Sequence, residues 1–80
     1  MEQRNILRIR NGYLTDLNLK VEPWATELVL KPGHECEVIA IHPSRRPSVE
    51  VEPRPSGLVV TVGGGGGESY ELWYDGQNVS

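Results

Sequence analysis

His34, Cys36 and His42 fall within nine positions and are the residue types of a metal site, or of a cysteine nucleophile activated by an imidazole. A metal site needs their ligand atoms to converge on one ion. Catalysis needs a ring nitrogen within hydrogen-bond reach of the thiol. Spacing opposes both: in an extended segment rising about 3.3 Å per residue, positions 34 and 42 stand roughly 26 Å apart, and His34 and Cys36 about 6.6 Å apart on one face. The expectation is a buried, inert Cys36 beside Val38 and Ala40, with His34 at a turn and His42 at a strand end. No catalytic residue, metal or cofactor is assigned; a small-ligand or metal carrier using His34, Cys36 and His42 is the second reading.

The run VGGGGGE, Val62 to Glu68, raises the question of whether Gly63, Gly64, Gly65, Gly66 and Gly67 cradle a phosphate. A phosphate loop turns glycine amides inward, opens a helix and adds a lysine with a Ser or Thr. Here no lysine is near, the acidic Glu68 and Glu71 follow, and SYELWY has the composition of a strand. The glycines are expected to join two strands of a hairpin. They should stay partly mobile, because ordering glycine costs about 0.5–1 kcal/mol more than ordering alanine. Their functional use would be to admit a partner's backbone, which residues lacking Cβ permit.

Paired carboxylates occur at Glu35 with Glu37 and at Glu50 with Glu52, each pair on one strand face. An acid–base dyad needs one carboxyl desolvated and the other not. Nothing beside either pair supplies that burial, so solvated faces are expected. Arg8 and Arg10 share the same spacing and suit a cross-strand ladder with one glutamate pair.

The elements carrying these residues follow a period of two. Leu17, Leu19 and Val21 alternate with Asn18, Lys20 and Glu22, and Leu7 and Ile9 oppose Ile6, Arg8 and Arg10. Asn11-Gly12 predicts a hairpin between those two strands. Lys31-Pro32-Gly33 predicts a turn between strands at 27–30 and 36–41. Pro43, Pro47, Pro53 and Pro55 bracket a short strand, Val49 to Glu52, of sheet-edge type. LVVTV and SYELWY flank the glycines, and no window keeps helical period without a proline or glycine. The chain is therefore read as one all-β domain over residues 1–80, a compact antiparallel β-sandwich or small barrel of six to seven short strands.

A net charge of −3, two lysines, and no Lys or Arg after Arg54 argue against nucleic acid and anionic membranes as partners. One cysteine cannot form an intrachain disulfide, and the opening MEQRNILRIRN lacks the apolar run of a signal peptide, so the cytoplasm is the expected location. If Tyr70, Leu72 and Tyr74 face inward, Trp73 points outward with Ser69 and Glu71, as a binding hot spot would. Trp24, after Pro23, is expected to swing over the core. Arg45 and Arg46, between Pro43 and Pro47, offer the best anion-facing spot. The leading functional reading is a non-enzymatic module that binds another protein or itself, of the small inhibitor, immunity or regulatory-subunit type.

The segment VEPWATELVLKPGHECEVIA, Val21 to Ala40, resembles short uncharacterised bacterial all-β proteins that carry Glu-Pro-Trp, an alternating strand, Pro-Gly and a second alternating strand. The resemblance implies a small β protein and brings no catalytic residues. Strand, Pro-Gly, strand is also similar to the opening of cupredoxin-like sandwiches, but the sole methionine is Met1 and no Cys and His cluster closes the chain, so the copper ligands are lacking.

Overall fold

The computed structural model describes residues 1–80. Eight strands follow one another: β1 (Gln3–Arg10), β2 (Leu17–Glu22), β3 (Thr26–Leu30), β4 (Glu35–His42), β5 (Ser48–Arg54), β6 (Gly57–Gly63), β7 (Ser69–Tyr74) and β8 (Gln77–Asn78). There is no helix, hence none long and apolar enough to cross a membrane. Two four-stranded sheets, in the orders β1-β4-β7-β8 and β3-β2-β6-β5, pack face to face. The all-β sandwich expected from the alternation is the fold, with open sheets rather than a closed barrel and one or two more strands than the sequence suggests.

Three connections differ from expectation. Asn11-Gly12 is not a hairpin turn, because β1 pairs with β4 and β2 with β3 and β6, so the chain crosses between sheets there. The glycines likewise leave β6 in one sheet and enter β7 in the other. Finally, β2 and β6 run parallel, Leu19 beside Leu58 and Val21 beside Val60, within otherwise antiparallel sheets. Alternation fixes which face of a strand is apolar and leaves its neighbour undetermined.

The core is built from those faces. Leu19 and Val21 of β2, Leu30 of β3, Cys36, Val38 and Ala40 of β4, Val60 and Val62 of β6 and Leu72 of β7 form one buried cluster, with Leu7, Ile9, Tyr70 and Tyr74 packed around it. Polar groups close the sandwich sides. On one side the Asn5 amide donates to the Pro47 carbonyl at 3.1 Å. On the other, Tyr70 and Thr26 share a hydroxyl hydrogen bond, and the Lys31 N–H donates to the Tyr74 hydroxyl at 3.2 Å. Trp24 lies against Tyr70 with ring centroids 4.3 Å apart, over the end of the core. No buried side-chain nitrogen or oxygen is left without a partner, as a small core requires.

The turn over Lys31–His34 closes by the His34 N–H on the Lys31 carbonyl at 3.0 Å. The arginines and glutamates align in register, Arg8 opposite Glu37 and Arg10 opposite Glu35, but one ion pair forms: the Arg8 Nε donates to the Glu37 carboxylate at 2.8 Å, and Arg10 has none.

Candidate interaction surface

The potentially reactive residues do not meet. His34 sits at the turn before β4, its Nδ1 2.6 Å from the Tyr74 hydroxyl and 3.7 Å from the Asp75 carboxylate. His42 ends the same strand, at the opposite edge of the sandwich, and Cys36 lies between them inside the core. No group of three His, Cys, Asp or Glu side chains is placed to hold a metal ion. Burial, reinforced by Glu35 and Glu37, pushes the Cys36 thiol up to about 11.

A chemical consequence follows for Cys36. The folded state holds the thiol proton more tightly than the unfolded chain, so the stabilisation is whole below the ordinary thiol value of 9.0 and is lost as pH climbs toward about 11. At neutral pH a disulfide reagent should modify Cys36 only at the rate of unfolding. Denaturation at mildly and strongly alkaline pH, each compared with Cys36→Ala to cancel tyrosine and lysine titration, should show the wild type losing more stability.

His42 organises the glycine loop. Its Nδ1 accepts the main-chain N–H groups of Ser44 and Arg45, at 3.1 Å each, which places the proton on Nε2; that nitrogen donates to the Gly66 carbonyl at 2.7 Å. The Glu68 carboxylate accepts the Gly66 N–H at 2.8 Å. A Cβ on Gly64 would lie 3.1 Å from the His42 ring, and one on Gly65 3.2 Å from the Arg45 guanidinium. The glycines thus let the chain lie close over His42, with Arg45 folded onto them, and Glu68 occupies the amide that an anion would seek. Arg46 stays exposed beside Pro47. Among the residues singled out from the sequence, the structure groups Arg45 and His42 with the loop and sets Trp73 and Glu71 apart on the outer face of β7.

Trp73 is half-buried, its indole N–H donating to Glu71 at 3.0 Å. It faces Glu37 across the ladder, and Glu71 faces Ile39, whose other neighbour is Ile6. Although Ile39 is on the outer face, it is only 9% exposed. Charged and aromatic side chains of the adjoining strands shelter it, so this face is already largely satisfied within the molecule.

Ile6, at the β1 margin of that face, is 54% exposed, but the most exposed apolar groups of the strand connections lie elsewhere. Between β1 and β2, Tyr13 is 67% exposed and Leu14 96%. Beneath them Asn11 is fully buried and uses its whole amide: Nδ2 donates to the carbonyls of Thr15 and Leu30, both at 2.8 Å, and Oδ1 accepts the Tyr13 N–H at 2.9 Å. An asparagine committed in this way holds two apolar side chains out in water. Alongside runs an open groove of about 760 Å³ between this corner and the β5–β6 turn, lined by Ile9, Arg10, Tyr13, Asn18, Pro53 and Arg54 among others. Arg54 is paired with Glu52 and Asp16 with Lys31, whereas Arg10 has no ion pair.

Sequence reading missed this corner because Asn11-Gly12 imitates a hairpin. The available signal was Tyr-Leu in a connection whose turn chemistry calls for polar residues. No protein-family model, curated protein or solved structure matches the chain.

Proposed function

We propose that the chain is a non-enzymatic protein-binding module whose contact surface is the Tyr13–Leu14 tip and the groove beside it. The supporting observation is the buried Asn11 amide, whose three hydrogen bonds hold an almost fully exposed leucine and a mostly exposed tyrosine at a rigid corner. Large apolar groups fixed in water, next to a groove with an unpaired arginine, form an anchor flanked by polar contacts, the pattern of a binding hot spot. The single cysteine, buried and protonated, suits the reducing cytoplasm as the place of action.

A photo-crosslinking amino acid in place of Leu14, and another in place of the exposed Val79, test the reading in extracts of cells that express the chain. Position 14 should give one discrete adduct that Tyr13→Ser weakens, and position 79 none. Equal adducts from both positions, or none from position 14, would refute it.

A further inference from the structure

The four sheet edges are not equivalent. β8 has two residues, β3 has five and lies between Pro23 and Pro32, and β5 contains Pro53 with Pro47 and Pro55 at its ends. Each is too short or too proline-rich to accept a long added strand. β1 has eight residues, no proline or glycine, and an unbroken register with β4 from Gln3 opposite His42 to Arg10 opposite Glu35.

Two main-chain hydrogen bonds set the phase of that edge. Asn11 donates its N–H to His34, toward β4, and Glu35 accepts from Asp75, toward β7. Main-chain groups alternate sides along an antiparallel strand. Asn5, Leu7 and Ile9 therefore turn theirs to β4, while Arg4, Ile6, Arg8 and Arg10 turn theirs to the free edge. The side chains of these last four are exposed on the outer face; Arg4 is ion-paired with Glu2 and Arg8 with Glu37, while Arg10 has no ion pair and is the charge most open to a partner. The paired side shows which chemistry fits them, since β4 sets Ile39 opposite Ile6, Glu37 opposite Arg8 and Glu35 opposite Arg10.

We propose that the free edge of β1, from Arg4 to Arg10, is a strand-addition site for an extended segment of another protein carrying carboxylates at alternate positions. It rests on the reading of the chain as a binding module and names the chemistry of its partner. A second copy fits poorly. Two-fold pairing of β1 with itself centred on Ile6 sets Arg4 opposite Arg8, centred on Leu7 sets Arg4 opposite Arg10, and centred on Arg8 sets that arginine opposite its own copy, and like charges directly opposed disfavour pairing; centring on Asn5 avoids this by setting Glu2 opposite Arg8, but leaves Arg10 outside the ladder. Ile9 and Arg10 also line the groove, so a segment following β1 past Arg10 runs into it.

The probe is a dye-labelled peptide of alternating glutamate and valine, with two N-methylated versions, each blocking one alternate set of amide nitrogens. Amide hydrogen exchange should slow at Ile6, Arg8 and Arg10 on adding the parent peptide. Fluorescence anisotropy should show binding that weakens with salt, falls about tenfold or more in Arg8→Glu/Arg10→Glu, and survives in only one methylated version. Val79→Ser, exposed beyond β8 and away from β1, should leave the peptide affinity unchanged. Binding by both methylated versions, or no binding by the parent, overturns strand addition. If the parent fails while the Leu14 cross-link forms, the edge proposal alone falls and the tip reading stands.

Discussion

Gly57→Ala should lower the urea midpoint more than any other single substitution considered, removing a large part of the domain's stability. A Cβ at this position would stand 2.1 Å from the Asn18 carbonyl oxygen and 2.9 Å from its carbon, both main-chain atoms that cannot swing aside. Gly57 also has φ of +144°, which an alanine adopts only under strain. Relief requires the β5–β6 turn to lift off β2, breaking the hydrogen bond that the Asn18 side-chain amide donates to the Ser56 carbonyl and opening one wall of the groove. The expected loss is about 3–5 kcal/mol, set against a total of roughly 4–12 kcal/mol for a domain of this size. Gly12→Ala, with no atom within 4 Å of its Cβ, is the reference and should be near neutral. Urea midpoints measured by circular dichroism compare the two; equal midpoints would show that the turn does not approach β2 so closely.

Asn11→Ala has the second largest effect. It removes both donors to the Thr15 and Leu30 carbonyls and the acceptor for the Tyr13 N–H; the Asn11 side chain and Leu30 are closed to water, while Tyr13 and Thr15 lie in the exposed connection. Leaving buried polar groups unpaired costs about 1–3 kcal/mol each, and partial relaxation brings the expected total to about 2–4 kcal/mol. Asn11→Asp should be worse, since a carboxylate can still accept from Tyr13 but meets two carbonyl oxygens where the amide donated. Asn18→Ala, which loses one exposed hydrogen bond, should cost far less. Denaturation midpoints rank the series, and exchange of the Tyr13 amide should accelerate in Asn11→Ala. A ranking that puts Asn18→Ala first would remove the physical basis for a rigid tip.

Much of the architecture could be read from alternation. Leu17, Leu19 and Val21, or Leu58, Val60 and Val62, identify strands and their inward faces because a half-buried strand must alternate. The matched spacing of Arg8 and Arg10 with Glu35 and Glu37 anticipated a ladder that β1 and β4 form. Long-range partnerships were not legible. The Asn11 amide reaches Leu30, nineteen positions away, and nothing in Asn11-Gly12 distinguishes that role from a hairpin turn. The parallel contact of β2 with β6 likewise depends on which strands lie between them in space. Of the residues expected to bind, Trp73 does face outward, yet the proposed site centres on Tyr13 and Leu14, whose apolar character suggests the interior until the corner geometry is known.

The parallel ladder of β2 and β6 also bears on how the chain reaches this structure. Leu19 comes to lie beside Leu58 only when the intervening length, holding β3, β4 and β5, has been gathered into place. Such closure takes its entropy cost before the pairing returns any energy, and chains dominated by distant pairings fold in roughly milliseconds to seconds. Refolding should therefore be slow for eighty residues, and changes at Leu19 or Val60 that weaken the central pair should retard it more than changes in the local turn at Asp75-Gly76.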